Sequence, residues 1–133
     1  MHVATDNRYK LYVNETLGSL GPARGEIYNW NFETVDIAPY LVKGNNIVAA
    51  VVWNFGILKG WAQTSYRTAF ILQGNTEKEE VLNSNKSWKC IEDSSYAPYT
   101  KDSNNKLAYT GPCEQIDFNK FPAGRETIGY ERN

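Results

Sequence analysis

A chain of 133 residues, with 14 Lys plus Arg against 15 Asp plus Glu and a net charge of −1, has the size of one domain, leaving no room for a separate catalytic one. No basic stripe follows a phosphate backbone, so nucleic acid is excluded as an expected partner. The longest apolar run, 47–53, falls far short of the roughly 20 residues of a membrane helix, and Cys90, Cys113 and His2 cannot complete a structural zinc site.

Met1 is followed by polar residues instead of the basic start and apolar stretch of a secretory signal, so the start reads as a cut within a longer chain. Asp6-Asn7 comes first among the polar features. Such oxygen-bearing side chains, with backbone carbonyls, suit calcium, although the pair also makes a plain turn. Residues 8–13 then alternate, with Tyr9, Leu11 and Val13 on one face and Arg8, Lys10 and Tyr12 on the other, which predicts a half-buried strand. Asn14-Glu15 ends it. The density of turn formers at Gly18, Gly21, Pro22 and Gly25 predicts irregular chain over 18–25.

Residues 31–37 alternate again, and Asp36 can cap a short helical turn over 38–41 that has Pro39 near its start. After the turn at 43–46, the run 47–53 is apolar on both alternating faces and rich in β-branched residues, which predicts a central core strand. Further strands are expected at 67–72 and 87–92, with a charged surface segment at 76–80 between them. Residues 93–105 read as loop, and Ile116 and Phe118 mark a last short β-like segment. Short strands between Gly, Asn and Pro turns, with no long helical period, give an all-β fold, an antiparallel sandwich or barrel. Cys90 and Cys113 can join in a disulfide or stay as thiols.

Aromatic residues form 14% of the chain, with four Trp and nine Tyr, more than a small core needs, so some are expected at the surface in recognition. Tyr28-Asn29-Trp30-Asn31 sets two rings beside two planar amides, the groups that meet sugar faces and hydroxyls. The competing reading places Trp30 over the sheet edge or against another domain. Arg24, in a Gly-flanked loop, can clamp Glu26 or Asp36 or offer its donor fork to a ligand. Trp61, in the loop after the 47–53 strand, can stack on sugar or cover the core. The candidate carbohydrate-binding set is therefore Arg24, Glu26, Tyr28, Asn29, Trp30 and Trp61. Glu26 and Glu33 flank this cluster, but hydrolysis needs two carboxyl groups held at a fixed separation with one raised pKa, and no motif supplies that pair.

Three ordered strings carry a resemblance: residues 6–14 (DNRYKLYVN), Gly21-Pro22-Ala23-Arg24-Gly25-Glu26, and Asp36-Ile37-Ala38-Pro39-Tyr40-Leu41. Gly44-Asn45-Asn46-Ile47, the Ala-Ala-Val-Val-Trp strand at 49–53, Arg67-Thr68-Ala69-Phe70-Ile71-Leu72-Gln73-Gly74 and Ser87-Trp88-Lys89-Cys90 continue it over most of the chain. Together they resemble the N-terminal β-sandwich domain of bacterial α-L-rhamnosidases. The sequence departs from that pattern at Asn14-Glu15, where the family usually has Asn-Gly, and near Cys113, where it usually has Gly.

The resemblance implies a jelly-roll, galactose-binding-like sandwich over 1–133, incomplete at both ends. It also implies a parent glycoside hydrolase, exported from a bacterium, that hydrolyses terminal L-rhamnose with inversion through two carboxylates on a downstream α/α toroid. That catalytic domain would be the partner, with a rhamnose-containing glycan as ligand, no cofactor unless calcium, and a dimer where cut sheet edges pair. The fragment itself is then expected to be inactive. Two further expectations stand beside this one: a lectin-like module that targets polysaccharide, and a purely structural interdomain scaffold.

Overall fold

The computed structural model describes residues 1–99 and 111–127. Within them the chain is strands in small antiparallel sheets, with helix limited to short 3-10 segments, so the fold is all-β. Among the described residues no helix is long and apolar enough to cross a membrane.

The first three strands follow from turn chemistry. β1 (His2–Thr5) reaches Asp6-Asn7, where Asn7 adopts φ 74, and β2 (Arg8–Val13) follows. Two left-handed residues, Asn14 at φ 47 and Glu15 at φ 70, then close a two-residue hairpin into β3 (Thr16–Gly21). Asparagine tolerates that backbone, and its side chain is held there: Asn14 Nδ2 donates to the Tyr40 carbonyl and to Asn46 Oδ1, while its Oδ1 accepts from the Ile47 N–H.

β3 corrects the expectation of irregular chain over 18–25. Its glycines mark close approach, not chain breaking: a Cβ on Gly21 would stand 2.6 Å from Glu33 Cγ and 3.1 Å from the Tyr9 ring. A register shift between Leu11 and Tyr12 accommodates the pairing of β2 with β3.

The strand expected over 31–37 shrinks to β4 (Glu33–Thr34), whose pairing with β1 continues one step further in the reciprocal bonds of Val35 N–H to the Met1 carbonyl and the Met1 amine to the Val35 carbonyl. Its alternation still reports burial, since Val35 and Ile37 both enter the core. Asp36 Oδ1 accepts from the Ala38 N–H at the head of the 3-10 turn Ala38–Tyr40, as the sequence suggests.

β5 (Val48–Trp53) pairs only with β2 among the described residues, so the central strand of the order β3-β2-β5 is β2, and the reading of 47–53 as central is corrected. Apolar residues on both faces signal coverage of the two faces; they do not signal a ladder on each edge. Val48, Ala50 and Val52 pack on the core, opposite Val13, Leu11 and Tyr9, while Trp53 lies on the other face under the Lys10 ammonium.

β6 (Phe70–Gln73) completes the order β4-β1-β6 and leads into a 3-10 segment, Glu77–Leu82, where the charged surface stretch was expected. No strand forms at 87–92, a further correction. Trp88 instead folds onto the Phe70 ring at 5.7 Å, while Cys90 and Ile91 are exposed, so the apolar spacing there came from one anchor in a loop. The expected loop over 93–105 contains β7 (Tyr96–Tyr99), paired with β8 (Cys113–Ile116); its remainder, 100–105, lies outside the described residues. Both cysteines are free and exposed.

Val3 and Leu72 from one sheet and Tyr9, Leu11 and Val13 from the other share a single buried cluster with Met1, Val35 and Ile37. Burial pushes the Tyr9 hydroxyl up from its ordinary value, the nearby Glu33 charge adds to this, and the hydrogen bond with Ser19 opposes it.

The last described segment is fastened by a charged knot. Arg125 Nη1 donates to Asp93 Oδ2 at 2.7 Å, and Asp93 Oδ1 accepts from both the hydroxyl and the N–H of Ser95. Burial raises the Asp93 pKa, but the Ser95 bonds and the Arg125 charge outweigh it and hold the carboxyl below its ordinary value. A depressed folded-state pKa means stability present above the unfolded value of about 3.9 and lost as pH falls through the folded one. Urea midpoints of the parent and of Asp93→Asn should therefore differ most near neutrality and converge as pH drops below about 4. A gap that stays constant down to acid pH would contradict the knot.

Candidate functional site

An open groove of about 640 Å3 runs along β1 and β6, lined there by Ala4, Thr5, Phe70 and Ile71. One wall belongs to the connection between β3 and β4. The amides and carbonyls of Glu26 and Asn29 bond reciprocally at 3.1 and 3.0 Å, closing a tight turn that carries Ile27 and Tyr28 on its tip. Below it, Asn31 Nδ2 donates to the Arg24 carbonyl at 2.8 Å, and Glu33 Oε1 accepts from the Ala23 N–H. Gly25 is required at this base, because a Cβ there would meet the Asn29 carbonyl oxygen at 2.6 Å and the Asn31 nitrogen at 2.9 Å.

Tyr28 is 94% exposed at the turn tip, whereas Trp30 is half-buried, its indole Nε1 donating to the Thr5 carbonyl at 3.0 Å. Trp30 thus ties the wall to β1 and offers the groove part of its ring. The two readings of Trp30, packing on the sheet and contacting a ligand, are compatible in this geometry.

Tyr66 and Arg67, just before β6, form another part of the wall. Tyr66 is 78% exposed, and the Arg67 guanidinium carbon lies 6.0 Å from the centre of its ring. Long-range hydrogen bonds put them there. Asp6 Oδ2 accepts from Ser65 Oγ at 2.9 Å and from Asn54 Nδ2 at 3.1 Å, and the Asp6 N–H donates to the Ala69 carbonyl at 3.0 Å.

Of the residues singled out in the sequence, Tyr28 and Trp30 meet in this groove, and Glu26 and Asn29 build the turn that presents Tyr28. Arg24 is exposed at the turn's base, and its guanidinium makes no ion pair with Glu26 or Asp36 among the described residues, which leaves the clamp unformed. Trp61, 76% exposed, stands in the loop between β5 and β6 and is not part of the groove wall. Ile27, Tyr66 and Arg67 were not singled out. The only sequence signal for the last two is an aromatic–arginine pair directly ahead of a strand.

The Asp6-Asn7 pair is buried, and its oxygens already accept protein donors: Asp6 Oδ1 from Asn7 Nδ2, Asp6 Oδ2 from Asn54 and Ser65, and Asn7 Oδ1 from the Phe55 N–H. A cation here would have to displace those donors. Among the described residues no group of three or more His, Cys, Asp or Glu is placed to hold a metal. A smaller cleft of about 170 Å3, with Trp53, Phe55, Tyr96 and Cys113 on its walls, separates the end of β5 from the β7–β8 pair.

Searches of protein-family models, of curated proteins and of solved structures find no match to this chain.

Proposed function

We propose that this chain is a non-catalytic accessory module, a β-sandwich of jelly-roll type, whose groove contacts carbohydrate for an exported α-L-rhamnosidase-like glycoside hydrolase. The observation that carries the proposal is that two exposed tyrosines, Tyr28 and Tyr66, line one groove together with Trp30, which is tied to β1. Flat ring faces meet the C–H faces of a pyranose, and a volume of about 640 Å3 suits one or two sugar units. The catalytic carboxylates of the parent are assigned to another domain, and Glu33 in this one is occupied in holding the Ala23 N–H.

Titration with L-rhamnose and rhamnose-containing oligosaccharides, followed by tryptophan fluorescence, should show saturable quenching from Trp30. Replacing both Tyr28 and Tyr66 by alanine should weaken binding about tenfold or more, taking about 0.5–1.5 kcal/mol for each lost ring contact. Both side chains are exposed, so the fold is expected to survive. Unchanged affinity in the double variant would remove the site assignment.

A scaffold reading draws on a separate observation: Ile57, Val81 and Phe118 are 99%, 83% and 77% exposed, apolar surface of the kind that docks on a neighbouring domain. An intact wild-type chain that binds no saccharide would favour it over the carbohydrate reading. Self-association through an open sheet edge belongs to the same reading, and β5 is one uncharged edge that could serve it.

A further inference from the structure

We propose that the saccharide bound in this groove is acidic, a uronic-acid-containing glycan whose carboxylate is read by Arg67. The inference rests on the carbohydrate reading above and adds to it the charge of the ligand.

Two charged residues line the groove, Asp6 and Arg67, and they are in opposite situations. Asp6 is 4% exposed, and both its oxygens accept hydrogen bonds from Asn7, Asn54 and Ser65, so its charge is turned into the fold. Arg67 is exposed and forms no ion pair among the described residues. Its recorded contact there is the Tyr66 ring, which lies beside the guanidinium and leaves the planar edge with its N–H donors available.

A guanidinium that shares a groove with Ile27, Tyr28, Phe70 and Ile71 is, among the described residues, a positive charge without an ion-pair partner beside low-polarity surface. Coulomb attraction is stronger in such surroundings than in open water, and a carboxylate matches the fork with two parallel hydrogen bonds. Its place in the lining of the same ligand-sized groove as Tyr28 distinguishes Arg67 from an ordinary solvated arginine. A sugar stacked on Tyr28 or Tyr66 would bring an equatorial carboxylate at its rim toward the fork. A nucleic-acid ligand, which offers rings and phosphates, is disfavoured by the net charge of −1.

The test uses the whole chain and a matched pair of probes, a uronic-acid disaccharide and its methyl ester, which differ in charge and barely in shape. Isothermal titration should show the acid binding about tenfold or more tightly than the ester. Arg67→Gln should erase that preference, bringing the acid's affinity down to that of the ester, and Arg67→Lys should keep part of it. Equal binding of acid and ester by the wild type overturns this inference alone and leaves the carbohydrate site standing. Equal weakening of both probes by Arg67→Gln also overturns it, assigning Arg67 to the groove's shape. If neither probe nor any neutral saccharide binds a chain whose circular dichroism is native, the carbohydrate reading fails and this inference with it.

Discussion

Leu11→Ala is expected to lower the unfolding free energy by about 3 kcal/mol, within the usual range of about 2–5 kcal/mol for a leucine truncated in a packed core. Leu11 is 0% exposed at the middle of β2, the strand flanked on both sides by partners, opposite Ser19 of β3 and Ala50 of β5. Its side chain points into the cluster shared by the two sheets, against a set that includes Val3 and Leu72. Few large side chains complete that cluster, so neighbours cannot collapse into the space without loosening one sheet from the other. A domain of this size has about 5–15 kcal/mol to lose, so the variant should unfold at a clearly lower urea midpoint with an unchanged slope. Leu20→Ala is the control from the same hairpin. Leu20 pairs with Lys10 on the outer face and is 59% exposed, so its truncation should move stability by no more than about 0.5 kcal/mol. Similar losses for the two leucines would mean that the face assignment of β2 is wrong.

That contrast shows where the sequence is a good guide. Period-two alternation in 8–13 reports a face, and the structure buries Tyr9, Leu11 and Val13 as the period demands. Alternation does not report a ladder. At 31–37 and 87–92 the same spacing arises where Val35 and Ile37, or Trp88 alone, drop into the core from chain that is mostly unpaired. Glycine misled in the opposite sense. Gly18 and Gly21 looked like breaks, yet they lie within β3 where the Tyr40 and Tyr9 rings and Glu33 come close. Whether a glycine ends a strand or lets another element approach it depends on contacts distant in sequence, and no local pattern holds that information.

The candidate site divides along the same line. Tyr28 and Trp30 were legible because rings and amides crowd into four consecutive residues. Tyr66 and Arg67 were not, because their place in the groove is set by hydrogen bonds that Asp6 accepts from Ser65 and donates to Ala69, some sixty positions away in the chain. Trp61 is the converse case: an aromatic in a promising loop that the fold leaves off the groove wall.

The dependence of the second wall on Asp6 gives the other large effect. Asp6→Ala should cost about 3 kcal/mol and also abolish saccharide binding, because one carboxylate serves three side-chain donors: Asn7 Nδ2 at 2.8 Å, Ser65 Oγ at 2.9 Å and Asn54 Nδ2 at 3.1 Å. Removing the acceptor strands the Ser65 hydroxyl and leaves Asn7 Nδ2 with the Thr64 carbonyl at 3.4 Å and Asn54 Nδ2 with Ser65 Oγ at 3.1 Å, and a buried unsatisfied donor costs about 1–3 kcal/mol, with the sum reduced where the loop can relax toward water. Relaxation is the functional loss. Ser65 is the neighbour of Tyr66, so a released 54–65 loop carries Tyr66 and Arg67 away from Tyr28 and opens the groove. Ser65→Ala removes one donor to Asp6 and one of the two acceptors of Asn54 Nδ2, which keeps its bond to Asp6 Oδ2, so it should cost only about 1 kcal/mol while weakening binding through the same wall. Thermal denaturation and sugar titration of the two variants, run in parallel, check the argument. If Asp6→Ala melts with the wild type, the carboxylate is not the fastening of this loop. If it melts early yet binds with native affinity, the Tyr66–Arg67 wall is held by something other than Asp6.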